Sequence, residues 1–375
     1  MEFGLSPEQR QFDDSLRDFL KDHLPMDRLR ALADIGGGFD ETIWSGLCTL
    51  GLPSLIIPER FGGAGLGLID AALAAEALGF AAAPIPFIGP TVMAPLALMN
   101  CGTESQQDRY LPDAAAGDIR IAVAFAGLAG QTGANHVTID NARVQGDNAR
   151  VTGTVTGVMD MDQATHVLVF ARDGTGALIE TNARGITATR HRSLDRTRPL
   201  TDITLTDAPA ELLTAANDRL AAAHKVLDAG RVILSADTLG AAQTMLDRAI
   251  GFAKERVQFG RVIGGFQGVK YMLVDCVTTL EPCRGMVWYA AHAQDALPEE
   301  ARLTASHTKA HVSEVARDVA RLATETHGGM GFTDLLGLHL WFKRIGFNRQ
   351  ILGGPERCRE DAANLQGWTL KTARL

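Results

Sequence analysis

The residues of this 375-residue chain whose types and spacing could do chemistry fall into four groups. The first is Arg256-Val257-Gln258-Phe259-Gly260, followed shortly by Phe266-Gln267. A guanidinium is a planar, permanently charged set of donors suited to a pyrophosphate. The second is Gly328-Gly329-Met330-Gly331-Phe332, with Glu325 just ahead of it. Glycines let backbone approach a bulky nucleotide closely, although two glycines after a helix also make an ordinary C-cap. The third is Asp228 and Arg231, which share a helical face and form either a solvated ion pair or a binding pair. The fourth is His307 and His311, at the i,i+4 spacing of a metal pair. No glutamate follows His307 in HExxH fashion, so no metal site is expected. A further glycine-rich loop, Gly62 to Gly67, lacks the lysine and Ser/Thr of a phosphate-binding P-loop and reads as a packing turn.

Helical patterns frame these groups at both ends of the chain. Ser6 ahead of Pro7-Glu8 reads as an N-cap with proline at the first helical position, and Phe12, Leu16, Phe19 and Leu20 recur at helical spacing. Ile43 to Leu50 repeats the pattern, and an alanine-rich helix ends at Gly79. From Ile119 to Leu212 the period changes to two. The runs IRIAVAF, NHVTI, ARVTGTVTGV, THVLVFA, GITATRH and LTDITLTD, separated by Gly, Asp and Asn, predict an antiparallel sheet or small barrel. Thr214 to Ala253, Phe266 to Asp295 (interrupted by Pro282), Glu299 to His327 and Gln350 to Leu370 predict a C-terminal bundle of four helices. The expected fold class is α+β: a helical domain over 1–117, a middle β domain over 118–215 and a helical bundle over 216–375.

Composition narrows the function classes. At 46% hydrophobic and 21% charged, with no apolar run long enough to span a bilayer, the chain is that of a soluble globular protein. A net charge of −8 argues against a nucleic-acid partner held through its phosphates. No signal peptide is evident in the opening residues. Cys48, Cys101, Cys276, Cys283 and Cys358 are odd in number and lack metal spacing, which suits reduced thiols in a cytoplasmic protein.

Together the arginine- and glycine-bearing segments resemble the R-x-x-F-G, F-Q and G-G-x-G-[FY] flavin contacts of the acyl-CoA dehydrogenase family. PERFGGAGLG, GTESQQDRYLP and LDRTRPLTDI resemble other passages of that family, so the likeness covers essentially the whole chain. The resemblance implies FAD as cofactor, with Arg256, Phe259, Gln267, Glu325, Gly328 and Gly329 on its ADP side. It implies an acyl-CoA substrate whose CoA portion lies near Asp228 and Arg231, and electron-transferring flavoprotein as acceptor.

The sequence departs from the family where the chemistry would occur. Proton abstraction from an acyl thioester needs a carboxylate in a dry cleft. The family's two positions for that glutamate are Gly353 and Gly230 here, and the nearest carboxylate, Glu356, falls three residues late. The motifs that receive the flavin ring are replaced by Ala124-Phe125-Ala126-Gly127 and Met159-Asp160-Met161-Asp162. No catalytic residue is therefore assigned. The resemblance suggests a supporting subunit of a hetero-oligomeric (α2β2) acyl-CoA dehydrogenase, donating its ADP half-site to a homologous catalytic partner that acts on steroid or other bulky acyl-CoA side chains. A self-sufficient homomeric flavoenzyme with an unrecognised base, and a non-enzymatic scaffold of the same fold, are the alternatives.

Overall fold

The computed structural model describes residues 4–37, 39–130, 135–139 and 147–368. Its N-terminal part is helical: α1 (Pro7–His23), α2 (Met26–Asp34), α3 (Glu41–Thr49), α4 (Leu68–Phe80), α5 (Ala94–Cys101) and α6 (Glu104–Ala116), with a π-helical turn at Ile88–Met93. Helix α1 starts where the sequence places it. The Ser6 hydroxyl accepts from the Gln9 N–H at 3.1 Å, and the Gln9 amide oxygen accepts from the Ser6 N–H at 3.0 Å, a reciprocal capping box.

Seven strands follow: β1 (Ile121–Phe125), β2 (His136–Ile139), β3 (Asn148–Met159), β4 (His166–Phe170), β5 (Gly176–Glu180), β6 (Ile186–His191) and β7 (Leu200–Leu213). They pair in the order β1-β4-β5-β7-β3-β2, with β6 also on β7. The expectation of an antiparallel sheet needs one correction, because β1 and β4 run parallel, Ile121 beside His166 and Phe125 beside Phe170. The chain leaves β1, builds the β2–β3 hairpin, and re-enters beside β1 in the same direction. Strand β5, GALIE, also lies outside the sequence expectation; it is too short for a period-two pattern to show, and four of its five residues are buried.

The remainder is α7 (Arg219–Glu255), a hairpin of β8 (Val257–Gln258) and β9 (Arg261–Val262), then α8 (Gln267–Ala296), α9 (Pro298–Thr326), α10 (Leu338–Gln350) and α11 (Pro355–Leu365). Two expectations are corrected. Helix α8 runs unbroken through Pro282. Thr278, whose carbonyl loses its intrahelical partner, and Pro282 are both on the exposed side, where water replaces the missing bond. The fourth helix, expected from Gln350 to Leu370, is the shorter α11, which starts only at Pro355 after the turn 351–354, and α10 ahead of it lies outside the sequence expectation.

Helix α7 is the axis on which the site is built, and glycines fix its place. A Cβ on Gly79 would overlap the Asp237 carbonyl oxygen, and one on Gly240 would overlap that of Glu76, so α4 and α7 cross with their backbones in contact. A buried polar network ties α7 to the sheet. Arg198 donates to Asp237 (2.6 Å) and to Asn348 (2.8 Å), while Arg344 donates to Asp195 (2.8 Å) and Asp237 (3.2 Å). The loop before β7 is thereby locked to α7 and α10.

Candidate functional site: an exposed cofactor half-site and a filled cleft

Helix α7 ends at Glu255 with Arg256 as its C-cap, and the chain turns at once into the β8–β9 hairpin. At the hairpin tip Phe259 has φ +51° and Gly260 φ +77°. Phe259 is 92% exposed, and its ring stands nearly perpendicular to that of Phe266, with 6.1 Å between centroids. Arg261 lies over the Phe266 ring at 4.0 Å, which stiffens the base of the hairpin. Gln267 opens α8 on the exposed side, its amide donating to the Tyr271 hydroxyl. Phe252, in the last turn of α7, stacks on His327 at the end of α9 with centroids 4.7 Å apart. That contact brings the Arg256 and Gly328 segments to neighbouring starting points. Gly328 has φ +59°, and a Cβ on Gly328 or Gly329 would meet nothing within 4 Å, so this backbone is open to a ligand or partner. Phe332, just beyond, is 79% exposed. Glu325 is exposed and accepts from Arg321 at 2.8 Å.

Asp228 and Arg231 lie elsewhere and are not a solvated pair. They are 2% and 1% exposed. Arg231 donates from Nε to the Leu352 carbonyl (2.9 Å), from Nη1 to Asp228 (3.3 Å) and from Nη2 to Asp361 of α11 (2.8 Å). Its donors are thus spent on the 351–354 turn and on α11. Burial pushes the Asp228 carboxyl up to about 7 despite Arg231 and Arg302 beside it. Burial together with Arg302 and Arg231 pushes His224, one turn earlier on α7, down to about 4.

The two positions at which the resemblance would put a base come together in space. A Cβ built on Gly230 would stand 2.7 Å from Leu352 Cδ1 and 2.7 Å from Met93 Sδ. Gly353 has φ +98°, and its Cβ would meet Arg231 Nη2 at 3.1 Å and the Ala129 carbonyl oxygen at 3.3 Å. Leu352 itself holds a left-handed φ of +57° and is buried. Between Ala124, Met159, Ile351 and Leu352 the remaining space is about 20 Å³. That is room for about one water and not for a ring system. Another perturbed carboxyl is Asp160, which burial pushes up to about 6. It accepts from Gly89 N–H at 3.4 Å and lines a different small pocket, beside Pro84 and Arg198. Glu356 is exposed and bonded to Arg349 at 3.0 Å.

Sequence reasoning missed Met93 and Leu352, which stand against the Gly230 position, and Asp361, which holds Arg231. Nothing local marks Met93 or Leu352, whose role comes from the π-helical turn Ile88–Met93, α7 and the 351–354 turn converging. Lys309 was also missed. It is 1% exposed, and its ammonium donates to the Asn348 and Arg349 carbonyls at the end of α10. His307 and His311 lie on the exposed face of α9. Among the described residues no cluster of His, Cys, Asp or Glu could hold a metal, and no helix is long and apolar enough to cross a membrane.

A helical domain, a β layer and a helical bundle in this order, with an arginine–phenylalanine hairpin and a glycine turn at adjoining helix ends, define the acyl-CoA dehydrogenase class. The chain belongs to that family. Residues 6–118 match its N-terminal domain and residues 220–364 its C-terminal domain. Acyl-CoA dehydrogenase IpdE2 of Mycolicibacterium smegmatis is 27% identical over 352 residues, 94% of this chain and 96% of that one. The solved Tcur3481–Tcur3483 steroid acyl-CoA dehydrogenase is 30% identical over 96% of this chain and 98% of that one, with a TM-score of 0.87. PigA, solved as its FAD complex, has the same fold, with a TM-score of 0.87 at 23% identity, over 98% of this chain and all of that one. Arg256, Gln267 and the open Gly328–Gly329 backbone are of the chemical types that suit a nucleotide diphosphate, while the space beside Leu352 is about 20 Å³, smaller than a flavin ring.

Proposed function

We propose that this chain is the supporting subunit of a hetero-oligomeric acyl-CoA dehydrogenase, in an α2β2 arrangement with a homologous catalytic subunit. In this reading Arg256, Phe259, Gln267, Gly328 and Gly329 close over the ADP part of an FAD whose ring and catalytic base belong to the partner, with Glu325 at the adenine side. Asp228 and Arg231 keep the form of a CoA-side pair but act structurally, holding the turn that fills this chain's own cleft. The likeness to a steroid acyl-CoA dehydrogenase favours a steroid-derived or similarly bulky acyl-CoA. Electron-transferring flavoprotein as acceptor and the cytoplasm as compartment complete the reading.

One observation carries the reading: the pyrophosphate-type residues are exposed, while Leu352 and Met93 stand against the Gly230 position and the space left beside Leu352 is about 20 Å³. Any second chain that offers a ring pocket to Phe259 and Arg256 completes the site. The test is flavin stoichiometry. The chain purified alone is expected to be colourless and inert towards acyl-CoA with an artificial acceptor. Co-expressed with a glutamate-bearing homologue, it is expected to co-purify as a yellow complex holding one FAD per pair of chains and oxidising acyl-CoA. One FAD per chain with turnover by the single protein would establish the homomeric enzyme instead, and a colourless, inactive co-complex would leave the scaffold.

A further inference from the structure

A hollow lies away from the cofactor residues, in the seam between the N-terminal helices α1, α2 and α4 and the C-terminal helices α7 and α10. Its volume is about 400 Å³, within the range of about 300–1,000 Å³ typical of small-molecule sites, which favour seams of this kind. Its floor is apolar, formed by Leu20, Leu24, Leu29 and Phe80.

The charge at this seam is unbalanced in one place. Arg248 of α7 is half-buried, with its guanidinium over the Trp341 ring at 4.3 Å. Among the described residues its guanidinium donates from Nη1 to the Leu336 carbonyl at 2.9 Å and has no carboxylate partner. Burial, and then the nearby Arg30 cation, hold its pKa below the usual arginine value, so the charged form is poorly compensated where it stands. The other charges at the groove are accounted for. Arg17 is paired with Asp13 at 2.8 Å and Glu76 at 3.7 Å, and Asp247 accepts from Gln243 at 2.8 Å. Lys21 and Asp18 are exposed on the outer rim. A planar fork of donors, partly desolvated and set above an aliphatic floor, matches a carboxylate carrying a hydrocarbon body.

We propose that this seam is a binding site for a medium-sized amphipathic carboxylate, its head on Arg248 and its hydrocarbon body on Leu20, Leu24 and Leu29. Neither Arg256 nor the Gly328 segment lines this seam, so the assignment does not rest on the function proposed above. The Trp341 indole donates to the Phe80 carbonyl at 2.8 Å and the Thr244 hydroxyl donates to the same carbonyl at 2.6 Å, so the wall between α4, α7 and α10 is preformed.

Calorimetric titration of the full chain with decanoate, beside the neutral isostere decanol, tests the assignment. Decanoate is expected to bind once per chain and decanol at least tenfold more weakly. Arg248→Gln should weaken decanoate at least tenfold while leaving decanol unchanged. Ala81→Phe, which projects a ring into the groove from its rim, should abolish binding of both with the melting temperature kept. The proposal is overturned if decanoate does not bind the wild-type chain, if decanol binds equally well, or if Arg248→Gln leaves decanoate affinity intact. If either variant is unstable, Arg248→Lys replaces it: loss of the planar fork with the charge retained should still weaken decanoate, and unchanged affinity would count against the site.

Discussion

Leu352 Cδ1 occupies the place where a side chain on Gly230 would begin, 2.7 Å from the Cβ that Gly230 lacks. The turn after α10 and the middle of α7 are therefore packed backbone to side chain at the point where a base would be sought. Met93 Sδ closes the same contact from the N-terminal helices, also 2.7 Å from that Cβ. The two glycines should differ in how they tolerate substitution. At Gly230 the neighbours are flexible side-chain ends, and alanine gains about 0.5–1 kcal/mol of helix propensity. Gly230→Ala is thus expected within about 1 kcal/mol of wild type, the packing cost and the propensity gain largely offsetting. Gly353 has φ +98° and a backbone oxygen 3.3 Å from its Cβ position, so Gly353→Ala should cost about 1–3 kcal/mol. Urea denaturation of the two variants checks the order, and the reverse order would contradict the packing described.

The exposed hairpin is expected to matter for assembly and not for folding. Arg256→Ala and Phe259→Ala remove side chains with little cover in this chain, so each should shift its stability by no more than about 0.5 kcal/mol. The same changes should lower the flavin content of the co-purified complex, read from its absorbance ratio. Full FAD occupancy in both variants would remove these residues from the half-site.

Arg231 holds Asp228, Asp361 and the Leu352 carbonyl together in a site sealed from water. Arg231→Met should cost up to about 3–5 kcal/mol, because it removes the buried cation that Asp228 and Asp361 share and leaves them only Arg302 at 3.7 Å and Arg357 at 2.8 Å. Asp228→Asn should cost much less, since burial already pushes that carboxyl to about 7 and the neutral form is well populated at neutral pH. Equal losses in the two variants, measured by chemical denaturation, would show that the charges are not coupled as described.

Lys309 supplies a pH test. Burial lowers its ammonium to about 7 from an ordinary value of 10.5. A base whose folded pKa is depressed contributes stability that is fully present above the unfolded value and is lost as pH falls through the folded one. The unfolded chain holds the extra proton between these limits, so the melting temperature of wild type relative to Lys309→Met should rise from about pH 7 towards pH 10. A difference that stays flat across this window would mean that Lys309 remains charged, held by the Asn348 and Arg349 carbonyls.

The sequence by itself determined the class of fold and the identity of the exposed segments. Ser6 with Gln9, the switch from 3.6-residue to two-residue periodicity, and the R-x-x-F-G and G-G-x-G runs are local signals, and local signals survive in a linear reading. It also marked Gly230 and Gly353 as lacking a carboxylate, which is a property of residue type alone. Only the tertiary structure decided what stands there instead. Residues 93, 230 and the 352–361 stretch are far apart in the chain, and their contact depends on the α4–α7 crossing at Gly79 and Gly240 and on the turn between α10 and α11. The parallel β1–β4 pair, the burial of the Asp228–Arg231 pair and the isolated charge of Arg248 belong to the same category. Pairing, burial and the supply of counter-charges are set by elements distant in sequence, and no window along the chain carries them.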